Sequence, residues 1–366
     1  MPTMDNTLSH LLMDWFTRHQ RDLPWRRTYS PYHVWISEIM LQQTQMERGV
    51  EYFNRWMRKL PDVEALAEAR EDDVLKLWEG LGYYSRARNL HRAACILCSV
   101  HGGCFPSTPE ELQKLPGIGP YTARAIASIA FERDVCVVDA NVERVCSRLY
   151  NIDTPVKNRD TRKRIEEICE ALLPPGQARI FNQAVMEFGS LLCSPRTPGC
   201  PVCPVREFCA ALREGVVDQR PVLRPPAKPI FLDMATGVLR REGRFFVQKR
   251  LSDDVWGNLW EFPGGVVEQG ESPEQAVIRE YLEETGLTVS RPAPIGRFKH
   301  SYTRYRITLH AFFVEAETVA PVALTAAQEY RWSTWEEVCS LAFPAGHRKL
   351  VEHLSLLRKF EMETNS

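Results

Sequence analysis

Apolar residues recur at spacings of three and four along most of the first 210 positions, in LSHLLMDWF, VWISEIMLQQ, DDVLKLWEGLGYY, ARNLHRAACILCSV, YTARAIASIAF, NVERVCSRLY and TRKRIEEICEALL. That spacing lines apolar side chains along one stripe of an α-helix, so residues 8 to 210 read as successive helices. From about Asp218 the pattern breaks. DQRPVLRPPAKP places four prolines in twelve residues without apolar periodicity, which suits an extended linker. After it, FLDMATGVLRR, GRFFVQKR, APIGRFK, RITLHAFFVEA and EYRWST read as β segments, with one helix at SPEQAVIREYLEETG and another near the C-terminus. The expected fold class is multidomain: an all-α domain over residues 1–217, a linker over 218–229, and an α+β domain over 230–366.

Composition agrees with two folded domains. The 366 residues are 44% hydrophobic and 25% charged, which excludes disordered and collagen-like classes, and the length exceeds what one core usually supports. No apolar run approaches the roughly 18 residues of a membrane span, and the start MPTMDNTLSHLLMDW does not read as a secretory signal, so a cytoplasmic, nucleoid-associated protein is expected; a monomer is the default expectation for its assembly. Lys and Arg total 46 against 47 Asp and Glu, so a polyanionic partner must be held by local patches. RVCSRLYNIDTPVKNRDTRKR offers such a patch, with Arg144, Arg148 and Lys157 among its cations.

Seven of the eleven cysteines are scattered among apolar or helical neighbours and read as buried thiols. The other four, Cys193, Cys200, Cys203 and Cys209, follow C-x6-C-x2-C-x5-C, close enough for four thiolates to wrap one metal centre. Ligand identity alone does not separate zinc from a [4Fe-4S] cluster.

LQKLPGIGPYTARAIASIAF places a Pro-Gly-Ile-Gly turn between two helices, where Gly117 and Gly119 allow a tight turn that exposes amides at a helix N-terminus, an anion site suited to a DNA phosphate. Asp139, in VCVVDANVERV, stands at the start of a helix. Glu38 is surrounded in sequence by Val34, Trp35, Ile39 and Leu41, so a helix would desolvate its carboxyl and favour the protonated form that a general acid needs near neutral pH.

The hairpin, the following Asp and the four-Cys loop together resemble the helix-hairpin-helix DNA glycosylase superfamily over about 200 residues. Within it, PWR at 24–26, SEIMLQQTQ at 37–45, WEGLGYYSRARNL at 78–90 and VVDANVERV at 137–145 resemble the MutY family of adenine DNA glycosylases. The resemblance implies base-excision repair of double-stranded DNA containing adenine opposite 8-oxoguanine or guanine, and one [4Fe-4S] cluster on the loop 193–209. It implies that Glu38 protonates the departing adenine and that Asp139 stabilises the sugar cation or attacks it transiently. Tyr121 and Asn141 would place the sugar and Asp139, Arg26 and Gln183 would contact the adenine edge, and Gln43 and Tyr83 would wedge the gap left by the extruded base. Tyr121 stands where bifunctional members carry a Schiff-base lysine, so a monofunctional glycosylase is expected rather than an endonuclease III-like lyase.

In the second half, Gly265 to Leu287 satisfies G-x5-E-x7-R-E-U-x-E-E-x-G-U, the Nudix box. Glu280, Glu283 and Glu284 share one helical face, where grouped carboxylates can bind Mg2+ against a diphosphate. A MutT-like domain in the MutY family reads the base opposite adenine and has usually lost these acids; their retention here raises Mg2+-dependent hydrolysis of a nucleoside diphosphate derivative, such as an oxidised nucleoside triphosphate, as an additional activity. Phe298 and His300 are the expected opposite-base contacts, with Lys299 where the family typically has Ser.

Overall fold

A computed structural model describes residues 4–225, 227–316 and 322–364. By its internal contacts the chain divides into two units, residues 1–68 with 92–226 and residues 69–91 with 227–366. The apolar pattern places 69–91 with the first helical domain; the contacts group it with the sheet. Periodicity reports that a segment is helical, not which core its apolar stripe faces.

The first unit contains α1 (Met4–His19), α2 (Pro31–Met40), α3 (Met46–Lys59) and α4 (Val63–Glu68), with α5 (Glu71–Trp78) following in the second. The division falls within α6 (Ser85–His101), after which come α7 (Pro109–Leu112), α8 (Pro120–Ile129), α9 (Ala140–Leu149), α10 (Arg159–Leu172), α11 (Ala178–Leu191) and α12 (Ala210–Arg213). Leu8, Leu12 and Phe16 of α1 are buried in one core with Val142, Val145, Ile165, Phe181 and Phe188. That core clamps α9 and α11 side by side. Gly189 is needed there, because a Cβ on it would lie 2.7 Å from the Asn141 Cβ.

Two expected helices stop early. α2 ends at Met40 rather than running through Gln43, and α5 ends at Trp78 before a loop in which Gly80 and Gly82 take positive φ. Gln43 and Tyr83 are themselves left-handed, at φ 61° and 49°. Non-glycine residues adopt this conformation at a cost, which concentrates at functional positions.

The second unit is built on β1 (Ile230–Arg241), β2 (Arg244–Arg250), β3 (Trp260–Glu261), β4 (Gly264–Val266), β5 (Val289–Tyr302), β6 (Tyr305–Ala316) and β7 (Ala327–Ser333). The order is β3-β2-β1-β6-β5, with β4 on β1, β7 on β2 and only β1 and β6 parallel among these pairings. Strand alternation sends Val238 and Val247 into one core and Leu239 and Phe246 into the other. α13 (Pro273–Thr285) packs Ala276, Val277 and Tyr281 into the second core, while Val338 of α14 (Trp335–Ser340) and Leu350 and Val351 of α15 (Ala345–Thr364) close the first. α13 begins with a Ser272–Gln275 capping box and ends at Gly286, φ 70°, so its bounds follow from local chemistry. Within this unit, Lys76 Nζ donates to the Cys339 and Leu341 carbonyls at 2.8 and 2.9 Å, and Tyr84 Oη to the Phe343 carbonyl at 3.1 Å, tying residues 69–91 to α14 and the segment after it. Among the described residues no helix is long and apolar enough to cross a membrane.

Candidate active site

A cavity of about 550 Å³ in the first unit is lined by Arg26, Glu38, Gln43, Tyr121, Asp139, Asn141, Gln183 and Glu187. Six local structures deliver these side chains. The short helical turn Pro24–Arg26 presents Arg26, the last turn of α2 presents Glu38, and the loop after it presents Gln43. The first turn of α8 carries Tyr121, Asp139 is the N-cap of α9 with Asn141 beside it, and Gln183 and Glu187 lie one turn apart on α11.

Glu38 is only 9% exposed, and Tyr121 Oη donates to its Oε2 at 2.8 Å. Burial pushes the Glu38 carboxyl up to about 7; the Tyr121 hydrogen bond opposes the rise and the Asp139 charge adds to it. Glu38 therefore carries its proton for much of the time near neutral pH.

Asp139 is treated differently. Its Oδ1 accepts from the Asn141 and Val142 backbone N–H groups at 2.9 and 2.8 Å, and its Oδ2 accepts from Asn141 Nδ2 at 2.7 Å. Burial pushes this carboxyl above the ordinary aspartate value, while those three donors and Arg144 pull it back. The N-cap role and the site role coincide, because a carboxylate at a helix N-terminus is stabilised as an anion. Two acids thus share one cavity, one favoured as the neutral form and the other bound by donors that favour its charge.

Arg26 Nε donates to Gln183 Oε1 at 3.0 Å, and the Arg26 fork grips Glu187 through two bonds of 3.1 Å. Glu187 is a residue that the sequence reading missed. Its position four residues after Gln183 on one helical face was the available signal.

Beyond Asp139 a polar chain continues. Arg144 Nη2 donates to Asn141 Oδ1 at 2.8 Å and its Nε donates to the Cys193 carbonyl at 2.8 Å. Arg148 Nη1 donates to Cys193 Sγ at 3.3 Å and to the Ser194 carbonyl at 2.8 Å. Arg144 and Arg148 are 7% and 2% exposed, so neither belongs to the surface phosphate patch expected from the sequence. Cys193, Cys200, Cys203 and Cys209 line one cavity together with Arg148 and Arg206. Among the described residues no group of three or more His, Cys, Asp or Glu side chains is arranged to hold a metal ion, these thiols and the Nudix-box acids included.

The hairpin glycines divide their tasks. Gly117 takes φ 76° at the turn, whereas Gly119 has an ordinary φ of −82° and serves as the N-cap of α8, with no side chain capping the helix. The glycine requirement at the turn thus belongs to Gly117, and Gly119 leaves the helix start open.

In the second unit, the Tyr83 ring lies 5.4 Å from that of Tyr302, which meets Trp256 edge-on at 5.6 Å; Trp256 is also 6.3 Å from His300. Phe298 packs beside the core against His353, 5.6 Å between rings, and the Nδ1 of His300 is buried without a hydrogen-bond partner. Tyr302, at the end of β5 before a two-residue hairpin turn, was not singled out in the sequence. The Nudix-box acids are bound by their neighbours: Arg279 donates to Glu271 at 2.9 and 3.0 Å, to Glu280 at 2.9 Å and to Glu283 at 3.0 Å. Glu284 accepts from Gln248 Nε2 at 2.9 Å and the Gly264 N–H at 3.0 Å, and burial pushes it up to about 8.

Residues 36–175 match the HhH-GPD superfamily of base excision DNA repair proteins, and residues 235–353 match the NUDIX domain. The adenine DNA glycosylase of Mus musculus is 33% identical over 93% of this chain and 76% of its own length. The chain belongs to the adenine DNA glycosylase family. Another adenine DNA glycosylase, from Buchnera aphidicola subsp. Baizongia pistaciae, is 31% identical over 83% of this chain and 84% of its own. The helical part of this family member also resembles a solved thermostable thymine-DNA glycosylase, with a TM-score of 0.53 and 27% identity over 57% of this chain and 97% of the other. Both the all-α glycosylase fold and the α+β Nudix-like fold expected from the sequence are therefore present, on one chain.

Proposed function

We propose that the chain is a monofunctional N-glycosylase of base-excision repair that removes adenine mispaired with 8-oxoguanine or guanine in double-stranded DNA. The observation that carries this reading is the pairing of a buried Glu38, whose carboxyl burial raises to about 7, with a donor-bound Asp139 in a cavity large enough for a nucleobase. Glu38, with Oε2 engaged by Tyr121, retains Oε1 to carry a proton to a ring nitrogen of the extruded adenine, turning a poor anionic leaving group into a neutral one. Asp139 faces the cationic sugar that develops as the bond to C1′ breaks, and water completes the hydrolysis. Tyr121 offers no amine for a Schiff base, and the cavity-lining amine of Lys157 is committed to Glu143 at 3.2 Å. Gln43 and Tyr83, held on left-handed backbone, serve as wedges in the vacated duplex.

Four thiolates on residues 193–209 suit a [4Fe-4S] cluster. Arg148 is a buried cation whose hydrogen-bond partners are carbonyls and a cysteine sulfur rather than carboxylates, and an anionic centre at the four thiolates supplies the missing charge. Such a cluster would hold the loop together and, through Cys193, Arg144 and Asn141, anchor the helix start that carries Asp139. For the second unit we favour a role in reading the base opposite adenine, with the Tyr83–Tyr302–Trp256–His300 ring group as its surface. The ties from Arg279, Gln248 and Gly264 to the Nudix-box carboxylates support a binding lobe over a Mg2+-dependent hydrolase.

The test is a duplex with one adenine opposite 8-oxoguanine, guanine or thymine, treated with alkali after incubation in EDTA. Strand breaks at the first two mispairs, lost in Glu38→Gln, are the expected result. Breaks that appear only with added Mg2+, or that persist in Glu38→Gln, would overturn the proposal.

A further inference from the structure

Glu187 is 2% exposed, lines the nucleobase cavity and touches no part of the acid pair. Its Oε1 accepts from the Arg21 backbone N–H and Nε, both at 2.9 Å, and from Arg26 Nη1 at 3.1 Å. Its Oε2 accepts from Arg21 Nη2 at 2.6 Å and Arg26 Nη2 at 3.1 Å. One buried carboxylate therefore fixes two guanidinium groups. Burial alone would push the carboxyl up, but hydrogen bonds from Arg21 and Arg26 bring it down to about 2, so the clamp stays charged at any working pH.

The clamp has a directional consequence for the base. With both Nη atoms of Arg26 engaged, its Nε donates to Gln183 Oε1 at 3.0 Å, while Gln183 Nε2 donates to the Arg179 carbonyl at 3.0 Å. Turning the amide over would set N–H against N–H at Arg26 and oxygen against oxygen at Arg179, so its orientation is determined by its partners. The remaining lone pair of Oε1 suits a donor on the ligand, such as the exocyclic amine of adenine. The carbonyl oxygen of guanine, which occupies the corresponding position, would meet an acceptor instead.

We propose that Glu187 is a positioning residue for base selection, clamping Arg26 so that Gln183 presents its carbonyl oxygen to the exocyclic amine of the bound adenine. This rests on the reading of the cavity as an adenine site. Glu187 acts through two other side chains and touches no reacting atom.

The experiment compares single-turnover excision of adenine and of purine lacking the exocyclic amine, each opposite 8-oxoguanine, by the full chain and by Glu187→Gln. Loss of the clamp should slow adenine removal about tenfold or more while slowing removal of the amine-free purine much less. The ratio of the two rates in one preparation is independent of the fraction that is folded. In a Gln183→Ala background the Glu187→Gln change should have no further effect on adenine, as expected for residues acting in series. Glu187→Asp, which keeps the charge, should shift the ratio in the same direction by less, and it serves as the test protein if the Gln variant does not fold. Equal slowing on both bases, or an undiminished effect without Gln183, would overturn the inference. Failure of the unaltered chain to excise adenine at all would instead overturn the reading of function on which it rests.

Discussion

Tyr121 donates its hydroxyl hydrogen to Glu38 Oε2 across 2.8 Å, joining the helix that follows the Pro-Gly-Ile-Gly turn to the acid on α2. The bond stabilises the ionised form of Glu38 and so lowers a pKa that burial raises. Tyr121→Phe should therefore move the alkaline limb of the excision profile to higher pH, and it should reduce the rate about tenfold through loss of orientation. A pH-rate profile of the variant checks both; a limb displaced to lower pH would contradict the assignment.

In the native protein, Glu38 must be protonated to act, so excision should fall as pH rises through about 7. The same group affects stability with a definite sign. Its folded value of about 7 lies above the ordinary 4.5, so its contribution is fully present below 4.5 and is lost as pH rises through 7. Glu38→Gln should consequently be more stable than the native protein at pH 8, by up to roughly 3 kcal/mol, and match it more closely at pH 4. Thermal unfolding at the two pH values measures the difference.

Asn141 ties Asp139 to Arg144, and Arg144 to the Cys193 carbonyl. Asn141→Ala removes a charge-assisted hydrogen bond from the Asp139 carboxylate, for which a loss of ten- to a hundredfold in excision is expected. Visible absorbance from the proposed cluster should remain. Arg148→Ala should show the reverse order of events, with absorbance lost first, because it removes the donor to Cys193 Sγ and to several loop carbonyls.

Tyr83 rests against Tyr302 on left-handed backbone. Tyr83→Ser should weaken binding to a mispaired duplex by about ten- to a hundredfold, the scale of one lost base stack, and leave binding to a fully paired duplex nearly unchanged. Equilibrium binding to the two duplexes at one salt concentration reads the difference.

Much of this architecture was legible in the sequence because local chemistry marks it. The capping box at Ser272 and Gly286 announce α13, and strand alternation announces β1 and β2. Glu38 was legible for the same reason: its apolar neighbours foretell its desolvation. What stayed hidden depends on tertiary contact. Arg144 and Arg148 look like surface cations in a basic run, yet both turn inward to the cysteine loop. The left-handed turns at Gln43 and Tyr83 interrupt stripes whose periodicity continues through them. Glu187 offered only its i, i+4 spacing from Gln183, since the folded chain alone brings Arg21 and Arg26 to it.

The most direct measurement is single-turnover release of adenine opposite 8-oxoguanine by the native protein, Glu38→Gln and Asp139→Asn, in EDTA at pH 7. If one carboxyl supplies a proton and the other a fixed negative charge, the native protein yields alkali-labile sites and each variant loses at least a hundredfold in rate, the scale of a removed acid or electrostatic partner. Either variant cutting at the native rate would contradict the two-carboxylate mechanism.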